Sequence, residues 1–161
     1  ATLITIIIDE NEKENLLVIR IIDNGTGMSK ELLEKVTNPF VTSRKTRKVG
    51  LGISLFKAAA ERCNGTFNIQ SELGRGTEIL VNFERNHIDR APLGNMVDTM
   101  TTIITANEKI DYVYKHRFNG KEFVFDTREI RNVLGEVPIN EISVIDWIKN
   151  YIHEGLDEII G

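Results

Sequence analysis

Residues 16–22, Leu-Leu-Val-Ile-Arg-Ile-Ile, are a nearly unbroken run of strand-forming side chains that stops on Asp23-Asn24-Gly25-Thr26-Gly27. A strand this apolar must be covered on at least one face, so the chain needs a sheet with a layer packed against it. The end of the strand is as informative as its body. Asp23 stands directly ahead of two glycines spaced two residues apart. A residue without Cβ takes positive φ and lets a flat group approach the main chain, while a carboxylate accepts hydrogen bonds from an exocyclic amine. That chemistry suits an adenine. An acid before Gly-x-Gly also describes an ordinary turn after a strand, and the motif alone does not separate the two readings.

The neighbouring stretches supply context. Residues 2–8 read as a strand, 9–15 as a charged loop and 16–22 as the antiparallel return. Ser29 suits the N-cap of a short helix through Leu32, Leu33 and Val36, broken by Asn38-Pro39. Residues 42–48 hold Arg44, Lys45, Arg47 and Lys48 among the hydroxyls of Thr42, Ser43 and Thr46. Such a run is usually a solvated loop. Here it feeds into Gly50-Leu51-Gly52, which opens an amphipathic helix with Ile53, Phe56, Ala59, Ala60 and Cys63 on one side. Free N–H groups at a helix start, with cations beside them, favour phosphate. Asn64-Gly65 ends this helix, and residues 66–71 and 77–83 read as strands joined by Gly74-Arg75-Gly76. Strand, strand, helix, basic loop, helix, strand, strand predicts an α/β two-layer sandwich: a mixed, mainly antiparallel sheet with helices on one face.

Residues 87–161 differ in texture. After the connection Ala91-Pro92-Leu93-Gly94, a helix is predicted with Met96, Met100, Ile103 and Ile104 on one face. Asn119-Gly120 between two strand-like runs is a strong hairpin signal. A two-residue turn there sets His116 opposite Phe123, Tyr114 opposite Phe125 and Arg117 opposite Glu122. Asp126-Thr127-Arg128-Glu129 has the pattern of a capping box, and Gly135 and Pro138 end the helix it starts. A last helix from Asn140 or Glu141 presents Ile142, Ile145, Ile148, Ile152, Leu156 and Ile159 as one stripe. The expectation is a helix, hairpin, helix, helix extension, docked on the first part or free-standing.

A net charge of −4 argues against nucleic acid or a membrane surface as the main partner, and no apolar run approaches a membrane span. Without a visible signal peptide, the chain reads as cytoplasmic. Cys63, the single cysteine, suits a buried small hydrophobe. His87, His116 and His153 suit loop, hairpin and helix-flank positions, and no metal-ligand or Ser-His-Asp spacing is present.

Four features occur in fixed order: Asp23-Asn24-Gly25-Thr26-Gly27, Asn38-Pro39-Phe40, Gly50-Leu51-Gly52-Ile53 and Gly74-Arg75-Gly76-Thr77. In this the chain resembles the ATP-binding domain of the GHKL superfamily, the Bergerat fold of histidine kinases, gyrase B, the heat-shock chaperone ATPase and MutL. The resemblance implies a histidine kinase-like ATP-binding domain over residues 1–86 and an α/β extension over 87–161. It implies that Asp23 accepts from the adenine amino group, that Gly25 and Gly27 border the base, and that Thr77 helps hold it through a water. Phe40 matches the family's F box, and residues 42–49 its lid. Thr42, Arg44, Lys45, Gly50, Leu51 and Gly52 would then surround the phosphates. The chain opens on Ala-Thr-Leu-Ile and looks cut. The family's N box, whose Asn holds Mg²⁺ and whose carboxylate activates water in the ATPases, would lie upstream. ATP with impaired Mg²⁺ binding, and no catalytic residue within these residues, is therefore expected.

The leading reading is the ATP-binding part of an enzyme that transfers a phosphoryl group or hydrolyses ATP when intact. The alternatives are an ATP-sensing module of anti-sigma type and a degenerate interaction scaffold. ATP and a protein partner or phosphoacceptor are the expected partners, and a sheet face left uncovered leaves homodimerisation open.

Overall fold

The computed structural model describes residues 2–37, 61, 65–85 and 96–160 of the chain. Strands β1 (Leu3–Asn11) and β2 (Leu16–Asp23) pair antiparallel, with Ile6 opposite Ile21 and Ile8 opposite Ile19. With β3 (Thr66–Glu72), β4 (Gly76–Glu84), β5 (Asp111–Phe118) and β6 (Lys121–Asp126) they form one six-stranded sheet in the order β3-β4-β2-β1-β5-β6. Only β1 and β5 run parallel. The sheet is thus mixed and mainly antiparallel, as predicted. Helices α1 (Lys30–Thr37), α2 (Met96–Ala106), α3 (Thr127–Leu134) and α4 (Ile142–Ile160) complete the described elements.

Strand alternation assigns the two faces. Ile8, Leu17, Val81, Phe83, Tyr112, Tyr114, Phe123 and Phe125 fall on one side and join Met100, Ile104, Ile148 and Ile152 of the helices in one apolar cluster. The other side carries the ion pairs Arg20–Glu78 and Arg117–Glu122 and faces water. Helix α4 lies so close over β6 that a Cβ on Gly155 would overlap the Phe123 ring. Tyr151 adds contacts to both Phe123 and Phe125.

Local chemistry explains the element ends. Ser29 Oγ accepts the Leu32 N–H at 3.2 Å and so caps α1. Asn119 and Gly120 have φ of 50° and 88°, the two positive values that a tight hairpin turn needs. All three expected cross-strand pairs of that hairpin are present, Arg117 Nε lying 2.5 Å from Glu122. Gly135, at φ 63°, closes α3 by donating to the Arg131 carbonyl.

Three expectations need correction. Strand β1 continues to Asn11, through residues read from sequence as loop, because Glu10 finds His116 and Arg85 as partners far along the chain. Asp126 caps α3 through the Arg128 N–H at 2.9 Å rather than through Glu129, and the Arg128 side chain folds back onto the same carboxylate. On α4, Val144 and Gly155 share the buried face with Ile148, Ile152 and Ile159, whereas Ile142 is 79% exposed. Ile142 is the helix's first residue, at the end of the turn that Glu141 N–H closes onto the Pro138 carbonyl, and lies off the buried face.

Candidate functional site

The site is built where β2 ends. Register places Asp23 directly opposite Thr77 of β4, and Thr77 opposite Ser71 of β3. By alternation all three belong to the apolar side of the sheet, at its end. Asp23 Oδ1 accepts the Gly25 N–H at 2.8 Å, which folds the acid over its own turn and leaves Oδ2 for an outside donor. Asn24 ties the same turn to β1: its Oδ1 accepts the N–H groups of Thr2 and Leu3, at 2.8 and 3.0 Å.

Gly27 has φ 72°, and a Cβ there would overlap the Glu72 carbonyl. A Cβ on Gly76 would overlap the Asp23 carbonyl. The glycines are therefore required first by backbone meeting backbone: the acid-bearing turn and the β3–β4 hairpin are in direct contact. Ser71, which sequence reading missed, locks that contact. Its Oγ accepts from Met28 N at 2.7 Å, donates to the Gly76 carbonyl at 3.0 Å and lies 2.9 Å from Thr77 Oγ1. With the Ser71 proton on Gly76, Thr77 donates to Ser71 and its oxygen lone pairs stay available. The one signal that pointed to Ser71 is its place across from Thr77.

A depression of about 350 Å³ lies at this end of the sheet, bordered by Asp23, Ser71 and Thr77 but also by Gln70, Glu72 and Glu78 of the water-facing side. It is the rim of the strand ends and not an enclosed pocket. Phe40, Thr42, Arg44, Lys45, Gly50, Leu51 and Gly52 lie outside the described residues. Among the described residues no group of three or more His, Cys, Asp or Glu is placed to hold a metal ion, and no helix is long and apolar enough to cross a membrane. A carboxylate beside an apolar wall, with a hydroxyl and turn backbone within its reach, fits a flat heterocycle carrying an amino group.

A mixed sheet with helices and an acid, glycine and threonine cluster at its strand ends is the arrangement of an α/β domain with its candidate site at the strand ends. Residues 1–87 match the family described as histidine kinase-, DNA gyrase B-, and HSP90-like ATPase. The chain belongs to this family and carries its ATP-binding domain, of the histidine kinase-like type. Over 83 residues it is 41% identical to sensor protein SrrB of Staphylococcus aureus, a match covering 48% of this chain and 14% of that protein. Over 64 residues it is 41% identical to sporulation kinase D of Bacillus subtilis, covering 40% of this chain and 12% of that protein. The chain thus spans a small part of the length of these relatives. The crystal structure of full-length ShkA in complex with AMPPNP aligns with a TM-score of 0.41 at 19% identity, over 52% of this chain and 17% of that one.

A second polar cluster lies away from these strand ends. Glu10 Oε2 sits 2.7 Å from His116 Nε2, His116 Nδ1 sits 2.6 Å from the Tyr114 hydroxyl, and Arg85 Nε reaches Glu10 Oε1 at 3.4 Å. All but Arg85 are buried. The His116 hydrogen bond, aided by the charges of His116 and Arg85 and opposed by desolvation, holds the Glu10 carboxyl below its usual range. Burial, with the Glu10 charge adding to it, pushes the Tyr114 phenol up. This cluster joins β1 to β5, and so the ATP-binding part to the residues after it.

Proposed function

We propose that the strand-end cluster holds the adenine of ATP, and that in the intact protein the bound nucleotide serves phosphoryl transfer or hydrolysis. One observation carries the reading: Asp23 and Thr77, 54 residues apart in sequence, are register partners at the end of the apolar face. Asp23 Oδ2 takes the exocyclic amine, Gly25 and Gly27 border the ring, and Thr77 offers its oxygen to a bridging water. Phe40, Thr42, Arg44, Lys45, Gly50, Leu51 and Gly52 are assigned to the lid and phosphates by family resemblance. Mg²⁺ accompanies ATP as its triphosphate complex. A phosphoacceptor protein is the expected partner, and the cytoplasm the expected compartment.

Asp23→Asn puts an amide donor against the amine, which costs about 1–3 kcal/mol and weakens binding about 5- to 150-fold. Titration calorimetry of ATP with Mg²⁺ into both chains tests this. Equal affinities would remove Asp23 from the site, and no heat with either chain would favour the scaffold reading.

A further inference from the structure

Three features outside the strand-end cluster offer chemistry: the Glu10–His116–Tyr114 cluster, the half-buried apolar side of β1 and β2, and a groove between α3 and α4. The first is closed to any ligand, and nothing among the described residues shows what covers the second. The groove carries an inference. It encloses about 350 Å³ and is lined by Ile130, Val133, Leu134, Ser143, Val144 and Trp147. Its walls are apolar and open to water, with Val133 87% and Trp147 50% exposed. Trp147 stacks on Tyr151 with ring centroids 5.1 Å apart and planes within 14°. A ring with a stacking partner beside an apolar slot gives contact area at reduced entropic cost.

Charge indicates what fills it. From residue 127 to 160 the chain has seven carboxylates, at Glu129, Glu136, Glu141, Asp146, Glu154, Asp157 and Glu158, against the cations Arg128, Arg131 and Lys149. Arg128 is bound to Asp126 and Arg131 to Asp111, acids outside this segment. Lys149 is two positions from Trp147 and so points away from its side of α4. Glu129 is one turn from Val133, and Asp146 one turn from Ser143. Glu136 sits in the connection between the two helices. The apolar slot therefore lies in a segment with an excess of negative charge, which repels an acidic segment and a second copy of this acidic edge.

We propose that the α3–α4 groove docks a basic amphipathic helix of another protein, its apolar stripe on Val133 and Trp147 and its Lys and Arg flanks on Glu129, Glu136 and Asp146. The groove is built on β5 and β6, and three strand spacings, about 14 Å, separate β2 with Asp23 from β6.

Trp147 is the chain's single tryptophan and reports on the groove directly. The test titrates the full chain with a Leu/Lys amphipathic peptide of roughly 18 residues, about five helical turns. A Leu/Glu peptide of the same apolar pattern and a scrambled Leu/Lys peptide serve as controls. The expected result is a saturable blue shift of Trp147 emission with the Leu/Lys helix alone. Val133→Asp, at an exposed position that leaves thermal unfolding unchanged, should weaken that binding at least about tenfold, and Glu136→Lys with Asp146→Lys should do the same. No response, equal response to the Leu/Glu or scrambled peptide, or binding that survives Val133→Asp would overturn the proposal. A Trp147 shift that depends on protein concentration without peptide would overturn it too, by making the groove a contact between copies.

Discussion

The sheet ends in two hairpins, and Gly76 in one serves an end opposite to Gly120 in the other. In β3–β4, Gly76 is pressed against the Asp23 carbonyl, and Gly27 of the facing turn is pressed against Glu72. In β5–β6, a Cβ on Gly120 would meet nothing within 4 Å. The second hairpin is specified by its own turn, and the first by an element some 50 residues earlier in the chain. A glycine needed for a local φ costs little to replace, whereas one that lets two backbones touch is fixed by both. In the nucleotide-binding half, Gly27 and Gly76 hold Asp23 against the hairpin. In the extension, the aromatic residues of the sheet fill the core, with Tyr114 and Phe125 almost wholly inside.

The contrast is broken most severely at Gly27. Gly27→Val adds a β-branched side chain at φ 72° against the Glu72 carbonyl. It should destabilise the fold by about 3 kcal/mol or more and abolish nucleotide binding, as urea unfolding and calorimetry would show. A wild-type midpoint would mean that the turn and hairpin are not in contact. Next comes Glu10→Gln, which weakens a buried charged hydrogen bond and should cost about 1.5–3 kcal/mol at neutral pH. Because folding lowers the Glu10 pKa, its contribution is complete above the ordinary glutamate value of about 4.3 and disappears as pH falls through the lower folded-state value. The difference between Glu10→Gln and wild type should therefore shrink in urea melts below that value. A constant gap down to strongly acid pH would remove Glu10 as its source.

Gly120→Ala should cost only about 1 kcal/mol, since the backbone at φ 88° is strained by Cβ but nothing is displaced. Nucleotide affinity should not change. The smallest effect is expected for Arg117→Ala, which removes an ion pair whose side chains are 50% and 35% exposed. Thermal unfolding should register little or no change. A loss at Arg117 larger than at Gly27 would reverse the comparison.

The same contrast explains what could be read from sequence. Asn119-Gly120, Ser29 and the Asp126 cap act within a few residues, so their chemistry is visible in the string. Asp23 stood out as a candidate because its glycine turn and its strand are contiguous. Ser71 was not, because a serine in a strand gains meaning only from what lies across the sheet. Glu10 was misread for the same reason. Its neighbours in sequence, Asp9, Asn11 and Glu12, look like a loop, while its partner His116 is 106 residues away. Ile142 was assigned to the buried stripe by periodicity, which does not know where a helix begins to have neighbours.

The most direct measurement is an amide-resolved nuclear magnetic resonance titration of the ¹⁵N-labelled chain with ATP and Mg²⁺. If adenine is held at the end of β2, the amides of Gly25, Gly27 and Thr77 should shift together and saturably, while those of Asn119, Gly120 and Gly135 stay in place. Shifts centred on the extension, with Gly25 and Thr77 unmoved, would contradict the assignment.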